Sequence, residues 1–114
     1  MKIEHYSFGE ITIDGRKYDS DILIYPDGRI DDSWWRKEGH VLDMEDIREL
    51  LESDPREIIA GTGASGMMRP EGDLEERLKA SGIEFTAVPT EEAVRKINGL
   101  TGQEGVAACL HLTC

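Results

Sequence analysis

Cysteine is nearly missing. The 114 residues hold two, Cys109 and Cys114, both at the very end of the chain. A small disulfide scaffold carries more and spreads them out, so a disulfide framework is excluded. A bridge between these two would close only a tiny loop, and both read as reduced thiols in a cytoplasm-like compartment. Long apolar runs are missing as well. Nothing approaches the roughly 18 apolar residues of a membrane-spanning helix. Met1-Lys2-Ile3-Glu4-His5 opens into mixed sequence with no leader pattern. Positive charge is scarce: 13 Lys and Arg stand against 24 Asp and Glu, a formal charge of −11. That excess repels phosphate backbones. The expectation is a cytoplasmic protein that binds neither nucleic acid nor membrane.

What remains is ordinary domain material. Hydrophobic residues make up 39% and charged residues 32%, too apolar for disorder. The length suits one domain over 1–114. Residues 1–38 carry turns and short alternating runs. Asp14-Gly15 is a hairpin signal, because both central residues of a type I′ turn need positive φ. Ile22-Leu23-Ile24-Tyr25 is a strand ended by Pro26-Asp27-Gly28. This half reads as antiparallel hairpins.

From about residue 41 the period becomes helical. Asp43 is an expected N-cap, followed by Met44, Ile47, Leu50 and Leu51 on one face. Asp54-Pro55 stops that helix. Glu57–Ala60 reads as a strand ended by Gly61. A second helix is predicted from about Glu71 to Ser81, then a strand over Glu84–Val88. Thr90 is an expected cap of a third helix, and Gly105–Leu112 a closing strand. Strands joined by helical crossovers run parallel. The prediction is a three-layer α/β domain. Its central mixed sheet carries Glu57–Ala60, Glu84–Val88 and Val106–His111 as parallel neighbours, extended by strands of the first half.

Five blocks in one order carry a family resemblance. They are Gly9-Glu10-Ile11 with Asp14-Gly15, Tyr18-Asp19-Ser20-Asp21 and Pro26-Asp27-Gly28; Trp35-Arg36-Lys37-Glu38-Gly39-His40; Ile59-Ala60-Gly61-Thr62-Gly63; Thr90-Glu91-Glu92-Ala93-Val94 with Asn98; and His111-Leu112-Thr113-Cys114. Together they resemble a small uncharacterised domain family. Prokaryotic proteins, the mammalian adipogenesis-associated domain protein and mitochondrial complex I assembly factor three share it. The resemblance implies a three-layer α/β domain with a central mixed sheet, and it brings no established reaction with it. The acidic balance and short length look like a free-standing prokaryotic member.

Gly61-Thr62-Gly63-Ala64-Ser65-Gly66 spells G-x-G-x-x-G after a strand. In a dinucleotide fold the helix begins inside that motif. Here Met67-Met68-Arg69-Pro70 delays it, so no cofactor is expected and a tight turn is the plain reading. A small anion on the amides of Gly61, Thr62 and Gly63 with Arg69 is the functional one. Cys109, His111 and Cys114 form C-x-H-x-x-C, but a structural zinc site wants a fourth ligand, and no metal is expected. His111, Thr113 and Cys114 are candidate ligand-binding residues at the carboxyl ends of the parallel strands, where open α/β sheets bind ligands. Trp34, Trp35, Arg36 and His40 are candidate partner contacts, one tryptophan facing the core and the other solvent. Two functions stay open: a non-enzymatic binding or assembly module for another protein, or a ligand-binding protein or enzyme at the strand ends. Catalytic residues and oligomeric state are left unassigned.

Overall fold

The computed structural model describes residues 1–114. In chain order the strands are β1 (Ile3–Ser7), β2 (Glu10–Ile13), β3 (Arg16–Tyr18), β4 (Ile22–Ile24), β5 (Ile30–Asp31), β6 (Val41–Leu42), β7 (Glu57–Thr62), β8 (Arg69–Pro70), β9 (Glu84–Val88) and β10 (Val106–His111). The helices are α1 (Arg48–Glu52), α2 (Leu74–Ala80) and α3 (Thr90–Gly99). Five strands form the central mixed sheet in the order β5-β4-β10-β7-β9. As predicted, β10, β7 and β9 are contiguous and parallel, and β4 adds antiparallel to β10.

The first half departs from the expected extension of that sheet. Only β4 and β5 join it, while β1, β2 and β3 form a separate antiparallel sheet. The reason is a covered face: Ile3, Ile11 and Ile13 are buried in one cluster with Ala93 and Ile97 of α3. Asn98 locks the contact, accepting from the Ile3 amide at 2.9 Å and donating to its carbonyl at 2.8 Å. Asp14-Gly15 makes the predicted turn, with φ of 49° and 81°.

Helix boundaries differ where local turns win. The first predicted helix splits into a 3-10 turn at Glu45–Ile47 and the short α1. Asp43 still caps it. Its Oδ1 accepts the Asp46 amide at 3.1 Å, and Asp46 Oδ2 accepts the Asp43 amide at 3.0 Å. This reciprocal pair holds the entry tight. The second helix begins at Leu74 rather than Glu71, because Leu74 donates back to the Glu71 carbonyl and residues 71–73 become a turn. Strand β7 runs past its predicted end, since Gly61 and Thr62 still pair with Leu110 and His111.

Alternation along the parallel strands separates two cores. Ile59, Ala108 and Leu110 face α3 and the hairpin sheet. Ile58, Ala60, Ala107 and Cys109 face Leu50, Leu74, Leu78 and Met68 on the other side. Each fully buried aliphatic side chain here contributes about 1.5–3 kcal/mol.

Candidate functional site

Strand β10 ends at the carboxyl edge of the sheet, where His111 lies in register with Thr62. Its ring falls on the Cys109 face and is buried. Two polar side chains from the first half meet it there. His111 Nδ1 lies 2.8 Å from Asp21 Oδ2 and 3.1 Å from Arg36 Nη2. Arg36 also donates to Asp21 Oδ2 at 2.9 Å and to the Gly39 carbonyl at 2.9 Å. The other Asp21 oxygen accepts the Leu112 amide at 2.8 Å. One nitrogen cannot both donate to a carboxylate and accept from a guanidinium. The carboxylate is closer and Arg36 Nη2 has Gly39, so we assign the Nδ1 proton to the bond with Asp21.

Nε2 is then the remaining polar atom of the ring. The atom is buried and has no hydrogen-bond partner; Arg36 Nε is in the same condition. The His40 ring stands edge-on to His111, 6.2 Å between centroids. A carboxylate-oriented imidazole with a free Nε2 is the layout of a general base. Here, however, the free nitrogen faces packed protein, with no nucleophile beside it. Burial by itself would push the Asp21 carboxyl up. The Leu112 amide, the His111 ring and the Arg36 guanidinium outweigh it and hold that carboxyl below the usual range.

The chain end is bound into this edge. The Leu112 carbonyl accepts from the Gly9 amide at 2.8 Å and the Tyr6 hydroxyl at 2.9 Å. Ala64 donates to the Thr113 carbonyl at 2.6 Å and Met67 to the Cys114 carbonyl at 3.0 Å. The amides of Gly63, Gly66 and Met68 bond to Thr90 Oγ1, the Gly63 carbonyl and the Thr62 carbonyl. The Gly61–Gly66 turn therefore seats its own C-terminal tail, and most of the amides read as an anion cradle are engaged within the chain. Arg69 lies on the short parallel ladder β6–β8, its amide bonded to the His40 carbonyl, with its side chain exposed.

Thr90 does not cap α3 as expected. Its hydroxyl is turned into the sheet, donating to the His111 carbonyl at 2.6 Å and accepting from Gly63 at 2.8 Å. Thr90→Val keeps the shape but strands both buried partners. It is expected to lower the unfolding free energy by about 1–3 kcal/mol, as measured by urea titration.

The partner-contact candidates separate. Trp35 is 75% exposed, whereas Trp34 is half-buried with its Nε1 donating to the Asp46 carbonyl at 2.8 Å. Arg36, expected beside an exposed tryptophan, is instead buried: its guanidinium stacks 4.6 Å from the Trp34 ring on the way to Asp21. His40 is exposed. Asp21 is the residue that sequence reasoning passed over. Its signal was a carboxylate at the head of a strand whose following residues are all apolar. Such a group is drawn into the interior and needs partners there.

The thiols differ in kind. Cys109 is fully buried, and burial pushes its pKa up to about 12. Cys114 is exposed. Iodoacetamide should modify Cys114 alone in the folded protein, and Cys109 only after unfolding, with intact-mass spectrometry as the readout. Native labelling at both would contradict this packing.

The molecule is thus an α/β domain whose mixed sheet carries a buried Asp–Arg–His cluster at its carboxyl edge. Over residues 3–111 the chain matches a family described as protein of unknown function DUF498/DUF598, and it belongs to that family. It is similar to conserved hypothetical protein PH1505 from Pyrococcus horikoshii OT3, at 33% identity and a TM-score of 0.85 over 100% of both chains. A structure named MT938 shows 32% identity and a TM-score of 0.82 over 99% of this chain and 98% of that one. A Bartonella henselae protein described as an outer membrane protein shows 27% identity and a TM-score of 0.79, covering 98% and 94%. In the present chain no helix is long and apolar enough to cross a membrane.

Proposed function

We propose that the protein is a non-enzymatic binding module of the assembly type, acting on another protein in the cytoplasm. The observation that carries this reading is the contrast between the two candidate sites. The His111 cluster is closed, its unpartnered ring nitrogen being buried. Trp35, by contrast, presents a large aromatic side chain to solvent without a neighbour covering it. Exposed tryptophan is enriched among the residues that dominate protein interfaces. The resemblance of its sequence blocks to the adipogenesis-associated domain protein and complex I assembly factor three points in the same direction. A photo-reactive residue placed at position 35, with one at Lys96 on α3 as control, tests it in cells. A discrete heavier adduct specific to position 35 is expected, and equal labelling at both positions would end this reading.

The Asp21-oriented imidazole favours a second reading, a small-molecule site that opens at the strand ends. It predicts a ligand retained in native mass spectrometry by the parent and by Trp35→Ala, but lost from His111→Gln.

A further inference from the structure

Beside the tryptophan pair lies a cleft of about 300 Å³ whose lining does not include Asp21, Arg36 or His111. Its apolar lining is Leu23, Trp34 and Trp35. Its charged lining is four carboxylates, Asp31, Glu45, Asp46 and Glu49, against two cations, Lys37 and Arg48, a net charge of −2. Both cations already face carboxylates of the chain itself, in exposed pairs. Lys37 Nζ lies 3.3 Å from Asp43, and Arg48 lies 3.8 Å from Glu45.

The remaining three carboxylates have no Lys, Arg or His nitrogen within 4.0 Å. They accept only from neutral donors. Asp31 takes the Ser33 amide and hydroxyl, Glu49 takes the Tyr25 hydroxyl at 3.0 Å, and Asp46 takes the amides of Asp43 and Lys37. Asp46 is further pinned by its backbone carbonyl, which holds the Trp34 indole. The cleft therefore combines a fixed aromatic wall, an exposed indole and three carboxylates outside any ion pair.

We propose that this cleft receives a lysine or arginine side chain of a partner polypeptide, stacked on Trp35 with its charge on Asp31, Asp46 and Glu49. The proposal rests on the binding-module reading and names the chemistry of the partner. Charge complementarity selects this occupant. A cation over an indole face is attracted by the ring quadrupole. The alkyl stem of either side chain lies against Leu23 and Trp34 while its head meets the carboxylates. An acidic segment would be repelled, and an apolar one would desolvate three carboxylates without compensation. The net charge of −11 adds long-range attraction for a basic segment.

The test uses the full chain and three short blocked peptides of one length: alternating Lys-Gly, alternating Glu-Gly and alternating Ser-Gly. Calorimetry and tryptophan fluorescence are read at about 0.15 M salt, where charges beyond about 8 Å are largely screened. The Lys-Gly peptide is expected to bind with a change in tryptophan emission. Trp35→Ala should weaken it roughly tenfold, within the range of one cation–π contact, with an unchanged circular dichroism spectrum and Tm. Glu49→Gln should weaken it, while Glu91→Gln, on α3, should not.

Equal loss in Glu49→Gln and Glu91→Gln would mean general charge attraction and overturn the proposal. Binding of the Glu-Gly or Ser-Gly peptide through Trp35 would overturn the cationic occupant and leave the binding module standing. Binding of no peptide would also overturn it, with the module then judged by cross-linking at position 35.

Discussion

Asp21→Ala is expected to destabilise the protein by about 3–5 kcal/mol, the cost of stranding a buried charge by removing its partner. The side chain accepts from three donors on two segments: the Arg36 guanidinium, and the His111 ring and Leu112 amide at the end of β10. Its loss leaves Arg36, whose side chain is only 5% exposed, facing one carbonyl and an imidazole. Because Asp21 itself keeps some water contact, at 19% exposure, the lower end of that range is expected. Asp21→Asn keeps an oxygen for Leu112 and should lose less. The double variant Asp21→Ala/Arg36→Met removes both charges and should recover part of the loss. Urea unfolding of the four proteins decides it. An Asp21→Ala chain as stable as the parent would show that the cluster is not coupled to folding.

The same carboxylate makes stability depend on acid. Its folded pKa is held below its ordinary value, because the Leu112, His111 and Arg36 contacts outweigh the burial that would raise it. A depressed carboxylate stabilises the fold above its unfolded pKa, about 3.9 for Asp. That contribution is lost as pH falls through the lower folded value. The stability difference between parent and Asp21→Asn should therefore be full near neutrality and shrink below about pH 4. A difference that stayed constant down to pH 2 would assign the effect to shape rather than charge.

Why the fold was readable and the cluster was not follows from the range of the signals. The period of Leu74, Leu78 and Ala93, Ile97 marks helices from within each segment. The crossovers between Glu57, Glu84 and Val106 then allow little but parallel neighbours. His111 could be singled out because it ends an apolar strand. Its partners Asp21 and Arg36 come from segments 90 and 75 residues away, and no local pattern ties them together. Thr90 misled for a related reason. A threonine before a helix reads as a cap, but its hydroxyl met two strand-end partners that appear only when β7 and β10 stand side by side. The split of Trp34 and Trp35 came out as expected from alternation, but the pair lies outside any strand, and Trp34 is held inward by its indole bond to the Asp46 carbonyl. The inward turn of Arg36 did not, because it is set by Asp21 and Gly39, not by its own neighbours.

Gly63→Ala is expected to cost roughly 2–6 kcal/mol: about 1–3 for strained backbone and about 1–3 for overpacking. Its φ is +107°, a conformation that residues with a Cβ rarely adopt. The added methyl would sit on the carbonyl carbon of Cys114 and 2.7 Å from the carbonyl oxygens of Thr113 and Cys114. These are backbone atoms held in place by the Ala64 and Met67 amides, so no side-chain rotation relieves the contact. The two contributions can be separated. In a chain ending at Leu112 the colliding atoms are gone, and Gly63→Ala should there cost only the backbone part, about 1–3 kcal/mol. A double-mutant cycle on the two changes measures the difference directly, with hydrogen exchange at the Ala64 and Met67 amides reporting whether the tail has lifted. Equal costs in both backgrounds would mean that the tail does not press on Gly63. A larger cost in the full chain, with both amides deprotected, would show the turn and the chain end to be a single packed unit.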